Sequence, residues 1–370
     1  MRFGASALTL VTRTSAMAAA VAGTRTLPPS ILITDFDGTV TAIDTTPLVP
    51  HLAARGQGGA TAGLLRFREL EERYISQLSQ CKDTIRAQRA DVGAAVSFDA
   101  EGLEAALASM DQISNTITEE LSQTGVLAGI AAASVAPAIA EWRAQPSAAP
   151  CQVPALREGC EQTLAGALAC GWRLGILSLN WCPPVIHALL PVLKSSPPPA
   201  DVWCNSIDEA SGRVSNTVNG AVAKREIIEQ LVKEVRESSA SASAEGGHRP
   251  LVVYVGDSAT DLLAMLAADV GILIGESGWS REIAERFGLV IEPLDQQDLI
   301  GTEARREVVF EAQSWLDIKR CLGIRLDSQG THARARARVA VVGPPHWAVQ
   351  ETKARDETTG WHRVAMKDDT

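Results

Sequence analysis

The sequence predicts an α/β fold, in which a parallel β-sheet carries helices on both faces and an all-helical segment is inserted after the first strand. Short apolar runs alternate with helical stretches along most of the chain, as in parallel sheets that are covered on both sides. Residues 62–142 differ, because their apolar side chains recur only at helical spacing. With 370 residues and 46% hydrophobic content, the chain can bury a large core.

The strands of the sheet are predicted from four apolar runs. The first is residues 30–34, and the others are residues 172–177, 251–255 and 270–274. Helices are predicted at residues 159–170, 224–237 and 279–287. Strands of about five apolar residues that alternate with amphipathic helices are the pattern of βαβ units.

Two apolar stripes define the inserted segment, which we place at residues 46–149. The first stripe contains Phe67, Leu70, Tyr74, Leu78, Cys81 and Ile85, and the second contains Leu103, Leu107, Met110, Ile117 and Leu121. Their spacing puts each set on one side of a helix. The core of the fold is therefore predicted to comprise residues 30–45 and 150–325, with a Pro- and Ala-rich linker at the return to the sheet.

Both ends of the chain are predicted to lie outside this fold. Residues 1–29 contain Arg, Ser, Thr and Ala but no acidic residue, a composition typical of an organelle transit peptide and equally of a disordered extension. Residues 326–370 lack periodicity, which predicts disorder. The seven cysteines form no disulfide framework or CxxC pair, so we expect a chloroplast, mitochondrial or cytoplasmic protein that is not secreted.

The charge of the chain narrows the class of partner. A formal net charge of −10 argues against nucleic acid and anionic membrane surfaces. No apolar run reaches the ~20 residues that a membrane-spanning helix needs. We therefore expect a small-molecule partner, and the sequence leaves a homo-oligomer open.

Polar residues directly follow three of the predicted strands. Asp35 and Asp37 follow the first, Ser178 the second and Asp257 the third. Parallel sheets bind ligands at the carboxyl ends of their strands, so these side chains should meet at one edge. Two carboxylates about 5 Å apart repel by roughly 3 kcal/mol at an effective dielectric of 20, which indicates that a cation belongs among them.

Four motifs, in this order, resemble those of the haloacid dehalogenase (HAD) superfamily of phosphohydrolases. They are DFDGT at 35–39, Ser178 in GILSLN, Lys224 in AVAKREI, and GDSATD at 256–261. The resemblance implies a Rossmann-like core, and the helical insertion looks like the mobile cap of the phosphoserine-phosphatase-like branch.

A second resemblance concerns the plant-type thiamin monophosphate phosphatases. Segments such as ILSLNWCPPVI and VVYVGDSATDLLAMLAADVGILI, within roughly residues 30–50 and 170–323, are similar to the phosphatase half of those proteins. The thiaminase-like domain that accompanies it there is not recognisable in this sequence.

The HAD resemblance implies a role for each motif residue in phosphomonoester hydrolysis. Asp35 is the expected nucleophile, which would form an aspartyl phosphate, and Asp37 the expected acid and then base. Lys224 would offset negative charge. The expected substrate contacts are Ser178, Asn180, Asp44 and Thr39, of which Thr39 should also fix the turn. The expected Mg²⁺ ligands are Asp35, Asp37 through its backbone carbonyl, Asp257 and Asp261.

Each of these residues also has a purely structural interpretation. Asp257 and Asp261 could cap the helix that follows them, and Lys224 could lie on the solvated side of an amphipathic helix. Asp44 could recognise a cationic substrate or cap a helix at DTTP. Tyr74 lies on an apolar stripe, where core packing is more common than stacking on a substrate.

The function predicted from the sequence is a magnesium-dependent phosphatase of a small metabolite, with thiamin monophosphate as first choice. Phosphoserine or another small phosphomonoester is the runner-up. A catalytically silent HAD-like binding module is the alternative from a different class, although degraded relatives usually lose an aspartate that this chain keeps. A phosphomutase would require an intermediate protected from water, and the sequence leaves that open.

Overall fold

The computed structural model describes residues 30–59, 61–88, 97–194, 200–240, 250–275, 277–294 and 308–324. The transit-peptide prediction for residues 1–29 and the disorder prediction for residues 326–370 lie outside these ranges. Among the described helices, none combines the length and apolar character needed to cross a membrane.

A parallel sheet forms the centre of the fold, and within the described residues it has seven strands. Their order is β3 (Asp201–Trp203), β2 (Arg173–Leu177), β1 (Ile31–Thr34), β6 (Val252–Gly256), β7 (Val270–Ile274), β9 (Val308–Ala312) and β8 (Val290–Pro293). Every neighbouring pair is parallel. The predicted α/β class is confirmed, and β1, β2, β6 and β7 are the four strands that the sequence predicted.

Three strands of the sheet and one hairpin were not predicted. β3 has only three residues, β8 ends at Pro293, and the apolar run of β9 is interrupted by Glu311. Such short or interrupted runs fall below what a periodicity argument can detect. A two-stranded antiparallel hairpin of β4 (Ser206–Ile207) and β5 (Val214–Ser215) lies outside the main sheet.

Helices cover both faces of the sheet. They are α5 (Cys160–Ala169), α6 (Pro183–Leu189), α7 (Ala221–Ala240), α8 (Leu262–Ala267), α9 (Gly278–Arg286) and α10 (Trp315–Cys321). Leu32 of β1 packs in one core cluster with residues of α5, α6 and α10. Ile31 and Ile33 pack in a second cluster with residues of α7, α8 and α9. Because strand side chains alternate between faces, this division shows that the sheet is buried on both sides.

The inserted segment is helical, as predicted from its apolar stripes. It contains α1 (Leu48–Gly56), α2 (Ala62–Gln88), α3 (Ala100–Thr124) and α4 (Ala132–Ala144). The chain enters and leaves it side by side, since the amide of Ala42 donates to Ala155 and that of Arg157 to Val40, both at 2.8 Å. α4 packs against α6 of the core. The boundaries at residues 46 and 149 stay a prediction. Below, the helical insertion means residues 46–149.

The position of β1 determines where the polar residues meet. β1 lies between β2 and β6. The chain adds β2 and β3 on one side of β1 and then crosses to the other side, where it adds β6 and β7. This reversal of direction leaves a crevice at the carboxyl ends of the strands, where parallel sheets bind ligands. The residues after Thr34, Leu177 and Gly256 therefore face one another.

Candidate active site

Asp35 lies at the base of this crevice. Its backbone amide donates to the Val255 carbonyl at 2.8 Å, so the residue continues the strand pairing, and its Oδ1 accepts from the Phe36 amide at 2.7 Å. The residue is 6% exposed. Burial raises the pKa of Asp35 to about 7, although the charge of Lys224 opposes the increase. An additional cation near Asp35 would strongly favour the ionised form of this carboxyl group.

Asp37 is held by three hydrogen bonds from neutral donors. Its Oδ1 accepts from the amide and hydroxyl of Thr45, at 2.7 and 2.6 Å, and its Oδ2 accepts from Nδ2 of Asn180 at 2.8 Å. Burial and then the charge of Asp44 raise its pKa to about 7, against these hydrogen bonds. A carboxyl group with this pKa can give up and take back a proton near neutral pH, as a general acid and base must.

The turn after Asp37 is built for close approach to Asp257. Gly38 has a φ of +74°, and a Cβ there would lie 2.4 Å from Oδ2 of Asp257. The hydroxyl of Thr39 donates to Oδ1 of Asp257 at 2.7 Å, and Thr39 is fully buried. This bond supports the turn role predicted for Thr39, whereas its substrate contact stays a prediction.

Lys224 connects two of the aspartates. Its Nζ lies 2.7 Å from Oδ1 of Asp261 and 3.3 Å from Oδ2 of Asp35, and the residue is 1% exposed. The two carboxylates raise its pKa against the opposing effect of burial. Lys224 is thus a buried ammonium at the site, which excludes the interpretation as a solvated surface lysine.

Asp261 accepts hydrogen bonds from Lys224 and from three other donors. Its Oδ1 accepts from Lys224 and from the hydroxyl of Tyr254, each at 2.7 Å, while its Oδ2 accepts from the amide and hydroxyl of Ser258. These four donors use the lone-pair sites that a carboxylate offers. An oxygen of Asp261 also lies within 4.8 Å of oxygens of Asp35 and Asp257, so the metal contact predicted for Asp261 stays a prediction. Its side chain and that of Ser258 also form a capping box, so the structural interpretation is correct for Asp261 as well.

A cation fits the remaining carboxylates. Asp35 and Asp257 approach within ligand distance of each other, and Thr39 is the one side-chain donor that the described hydrogen bonds give to Asp257. Burial, then Asp261 and Asp35, raise the pKa of Asp257 to about 8. Asp35 is buried and Asp257 half-buried, and carboxylates this close together with so few donors are stabilised by a cation; oxygen ligands of this kind suit Mg²⁺.

Ser178 and Asn180 lie at the end of β2, as predicted. Ser178 is 1% exposed, and its hydroxyl accepts from the amide of Asn180 at 3.2 Å. Asn180 donates to Asp37 and to the hydroxyl of Thr45, and its Oδ1 accepts from the amide of Cys182. Asn180 therefore helps to hold Asp37, and the substrate contacts predicted for Asn180 and Ser178 stay predictions.

Asp44 lies beside the site and is tied to its own turn. Its Oδ1 accepts from the amide of Thr46 at 2.7 Å, whereas α1 begins later, at Leu48. Asp44 thus closes a turn before the helix and does not cap the helix itself. Burial raises its pKa, as do Asp257 and Glu71, while the Thr46 bonds oppose the increase. Tyr74 packs against the core, and the charge of Asp44 contributes to its raised pKa after burial.

Two further contacts at this site were not predicted from the sequence. Nε of Arg157 donates to the Gly38 carbonyl at 2.6 Å, and Nε1 of Trp315 donates to the Thr39 carbonyl at 2.8 Å. Both fix the turn from elements more than 100 residues away, which leaves no local pattern. The role of the fully buried Tyr254 could have been predicted from the sequence, because a tyrosine inside an apolar strand needs a hydrogen-bond partner for its hydroxyl.

No family model matches the chain. Among curated proteins, it is similar to the Arabidopsis thaliana protein named bifunctional TH2 protein, mitochondrial, with 22% identity over 284 residues. The match covers 71% of this chain and 42% of that protein, so the chain spans less than half the length of this relative.

Solved structures with a similar chain path include phosphoserine phosphatases. A substrate-bound phosphoserine phosphatase is 15% identical with a TM-score of 0.38, and the match covers 70% of this chain and 91% of that one. The phosphoserine phosphatase of T. onnurineus is 11% identical with a TM-score of 0.37, covering 82% and 97%.

Proposed function

We propose that this protein is a magnesium-dependent phosphomonoester hydrolase that acts through an aspartyl phosphate. The observation that carries the proposal is the arrangement of Asp35 between Lys224 and the carboxylate of Asp257, with Asp37 held beside it. A nucleophile, a charge-neutralising ammonium, a metal site and a proton carrier are the groups that this reaction requires.

The first step is attack of a carboxylate oxygen of Asp35 on phosphorus. The phosphorus–oxygen bond to the alcohol breaks, and the leaving oxygen takes its proton from Asp37. In the second step Asp37 removes a proton from water, which attacks the aspartyl phosphate and releases inorganic phosphate and free Asp35. The three hydrogen bonds on Asp37 keep it in one orientation for both transfers.

The charges around phosphorus explain the rest of the arrangement. Asp35, Asp257 and the backbone carbonyl of Asp37 would hold Mg²⁺, which supplies positive charge to the carboxylates and to the phosphoryl oxygens. Lys224 remains an ammonium throughout, since its raised pKa keeps it protonated. Ser178 and the amides after it would hold the phosphoryl oxygens opposite Lys224.

Thiamin monophosphate is the substrate that we favour, and phosphoserine is the second candidate. The likeness to the TH2 protein and the acidic Asp44 near Tyr74 support a cationic ring beside the phosphate. An ammonium group, as in phosphoserine, would also suit Asp44. The likeness to a protein named mitochondrial supports an organelle, which import of a fluorescent fusion of residues 1–29 would test.

The test is turnover of a panel of phosphorylated metabolites by the purified protein, with Asp35→Asn as the matched inactive control. We expect thiamin monophosphate to have a kcat/KM at least about tenfold above phosphoserine, a difference of ~1.4 kcal/mol. The control should release no phosphate. Equal rates for both proteins on every ester would favour the silent binding module.

A further inference from the structure

The helix that carries Lys224 begins with a contact from the helical insertion. Lys224 is the fourth residue of α7, and its amide donates to the Gly220 carbonyl in the first helical turn. The first amide of this helix, that of Ala221, donates to Oδ2 of Asp111 at 2.8 Å, and the amide of Val222 also bonds this carboxylate. Asp111 belongs to α3, so another element supplies the cap of this helix.

The approach of Asp111 depends on the glycine before the helix. A Cβ at Gly220 would lie 2.1 Å from the carboxylate carbon of Asp111. Only a residue without a side chain leaves room for the carboxylate there, and glycine itself has no side chain with which to cap a helix. Gly220 and Asp111 thus form one capping unit that spans α3 and α7.

A second contact joins the same two helices. Glu104 lies seven residues before Asp111, two turns along the same side of α3. Its carboxylate receives both terminal nitrogens of Arg225, at 2.5 and 3.0 Å. The insertion therefore holds the residue after Lys224 as well as the start of its helix.

The Asp111 contact is buried, unlike most contacts between surface helices. Asp111 is 8% exposed. Burial raises its pKa to about 6, while the Ala221 amide and then the charge of Lys224 oppose the increase. Lys224 thus interacts with the carboxylate that caps its own helix, in addition to Asp35 and Asp261.

We propose that Asp111 is a positioning residue that couples the helical insertion to Lys224. The lysine reaches Asp35 from the first turn of α7, and that turn is held in place by α3. A movement of α3 away from α7 removes the cap and releases the turn that aligns the ammonium. The alignment of Lys224 therefore depends on the contact between α3 and α7. The effect of Asp111 on kcat rests on the proposed phosphatase function, whereas its effect on the start of α7 does not.

The test compares Asp111→Ala with Asp99→Ala. Asp99 caps the beginning of α3 itself, where its Oδ1 accepts from the Gly102 amide at 2.9 Å, and it lies about three turns from Asp111. Both variants remove an aspartate that caps a helix, but the capping bond of Asp99 stays within α3, whereas that of Asp111 goes to Ala221 of α7. We expect Asp111→Ala to lower kcat at least about tenfold with KM within about twofold, and Asp99→Ala to keep kcat within about twofold.

Hydrogen exchange gives a readout that does not depend on activity. In Asp111→Ala the amides of Ala221 and Val222 should exchange faster than in the wild type, while in Asp99→Ala they should be unchanged. The proposal is overturned if Asp111→Ala has the same kcat and the same exchange rates as the wild type. It is also overturned if Asp111→Ala and Asp99→Ala lose kcat equally. An inactive wild type instead refutes the phosphatase function, and the exchange comparison still decides the structural coupling.

Asp111→Asn keeps the test open if the alanine variant does not fold. The amide side chain retains one acceptor for Ala221 but loses the charge and the second bond. Its kcat should fall at least about threefold, with faster exchange at Val222. A kcat and an exchange rate equal to those of the wild type would overturn the inference.

Discussion

Replacing Lys224 by methionine should destabilise the protein strongly, and more so at higher pH. At an effective dielectric of 20, charges at the observed separations of 2.7 and 3.3 Å attract by about 6 and about 5 kcal/mol. Desolvation of the three groups offsets most of this attraction. Removal of one member of a buried ion pair leaves charge uncompensated, so we expect a loss of about 3–5 kcal/mol in the free energy of unfolding.

The pH dependence follows from the direction of the pKa changes. In the wild type burial acts to raise the pKa of Asp261, but the charge of Lys224 and the hydrogen bonds from Lys224, Tyr254 and Ser258 outweigh it, so the pKa is lowered. Without the ammonium, the pKa of Asp35, which is already raised to about 7, should rise further, and that of Asp261 should rise above its value in the unfolded state. The folded variant then binds more protons than the unfolded chain, so its stability falls as pH rises. The deficit should be larger at about pH 8 than at about pH 5.5.

Urea unfolding in excess chelator measures this deficit, with Lys233→Met as the matched control. Lys233 is on the same helix with 74% of its side chain exposed, and its nearest carboxylate, Glu237, is 3.9 Å away. Lysine and methionine have similar helix propensities, so the control should change stability by less than about 0.5 kcal/mol. A Lys224→Met loss as small as that of the control, or the same at both pH values, would refute the described charge arrangement.

Three further predictions concern activity. Excess chelator should abolish turnover, Mg²⁺ should restore it and the larger Ca²⁺ should inhibit, whereas full turnover in chelator would contradict the metal site. Asp37→Asn should reduce turnover of alkyl phosphates more than that of p-nitrophenyl phosphate, whose leaving group needs no proton; equal losses would show that Asp37 is not the acid. Asp44→Ala should raise KM about tenfold for thiamin monophosphate and hardly change it for p-nitrophenyl phosphate, since a lost charge contact of ~1.4 kcal/mol affects only the cationic ester. Equal changes would mean that Asp44 serves only its turn with Thr46.

The sequence predicts best what depends on local pattern. A run of apolar residues followed by Asp35 and Asp37 predicts both a strand and the end at which a ligand should bind, and the structure has the strand with both aspartates after its carboxyl end. The contacts of Arg157 with Gly38 and of Asp111 with Ala221 join positions more than 100 residues apart. Such contacts depend on how elements pack, and a single sequence carries no spacing that would reveal them.

The aspartates of the site have the same side chain but different pKa values, because burial, neighbouring charges and hydrogen-bond donors differ from one carboxylate to the next. Asp37 receives only neutral donors, so burial dominates and its pKa rises to about 7, which suits a proton carrier. Asp261 receives the ammonium of Lys224, so its pKa is lowered and it stays ionised.

Burial and then the charges of Asp261 and Asp35 raise the pKa of Asp257 to about 8, and the hydroxyl of Thr39 opposes this increase only in part, so Asp257 gains most from a cation. The motif shows that carboxylates are needed, but only the donors around each one decide which chemistry it performs. Removal of a donor should therefore change the pKa of the carboxylate that it serves. Asn180→Ala, which removes the donor to Oδ2 of Asp37, should raise the pKa of Asp37 further. The alkaline limb of the pH–rate profile, which reports loss of the acidic proton, should then move to higher pH, and an unchanged limb would contradict the assignment of Asp37 as the acid.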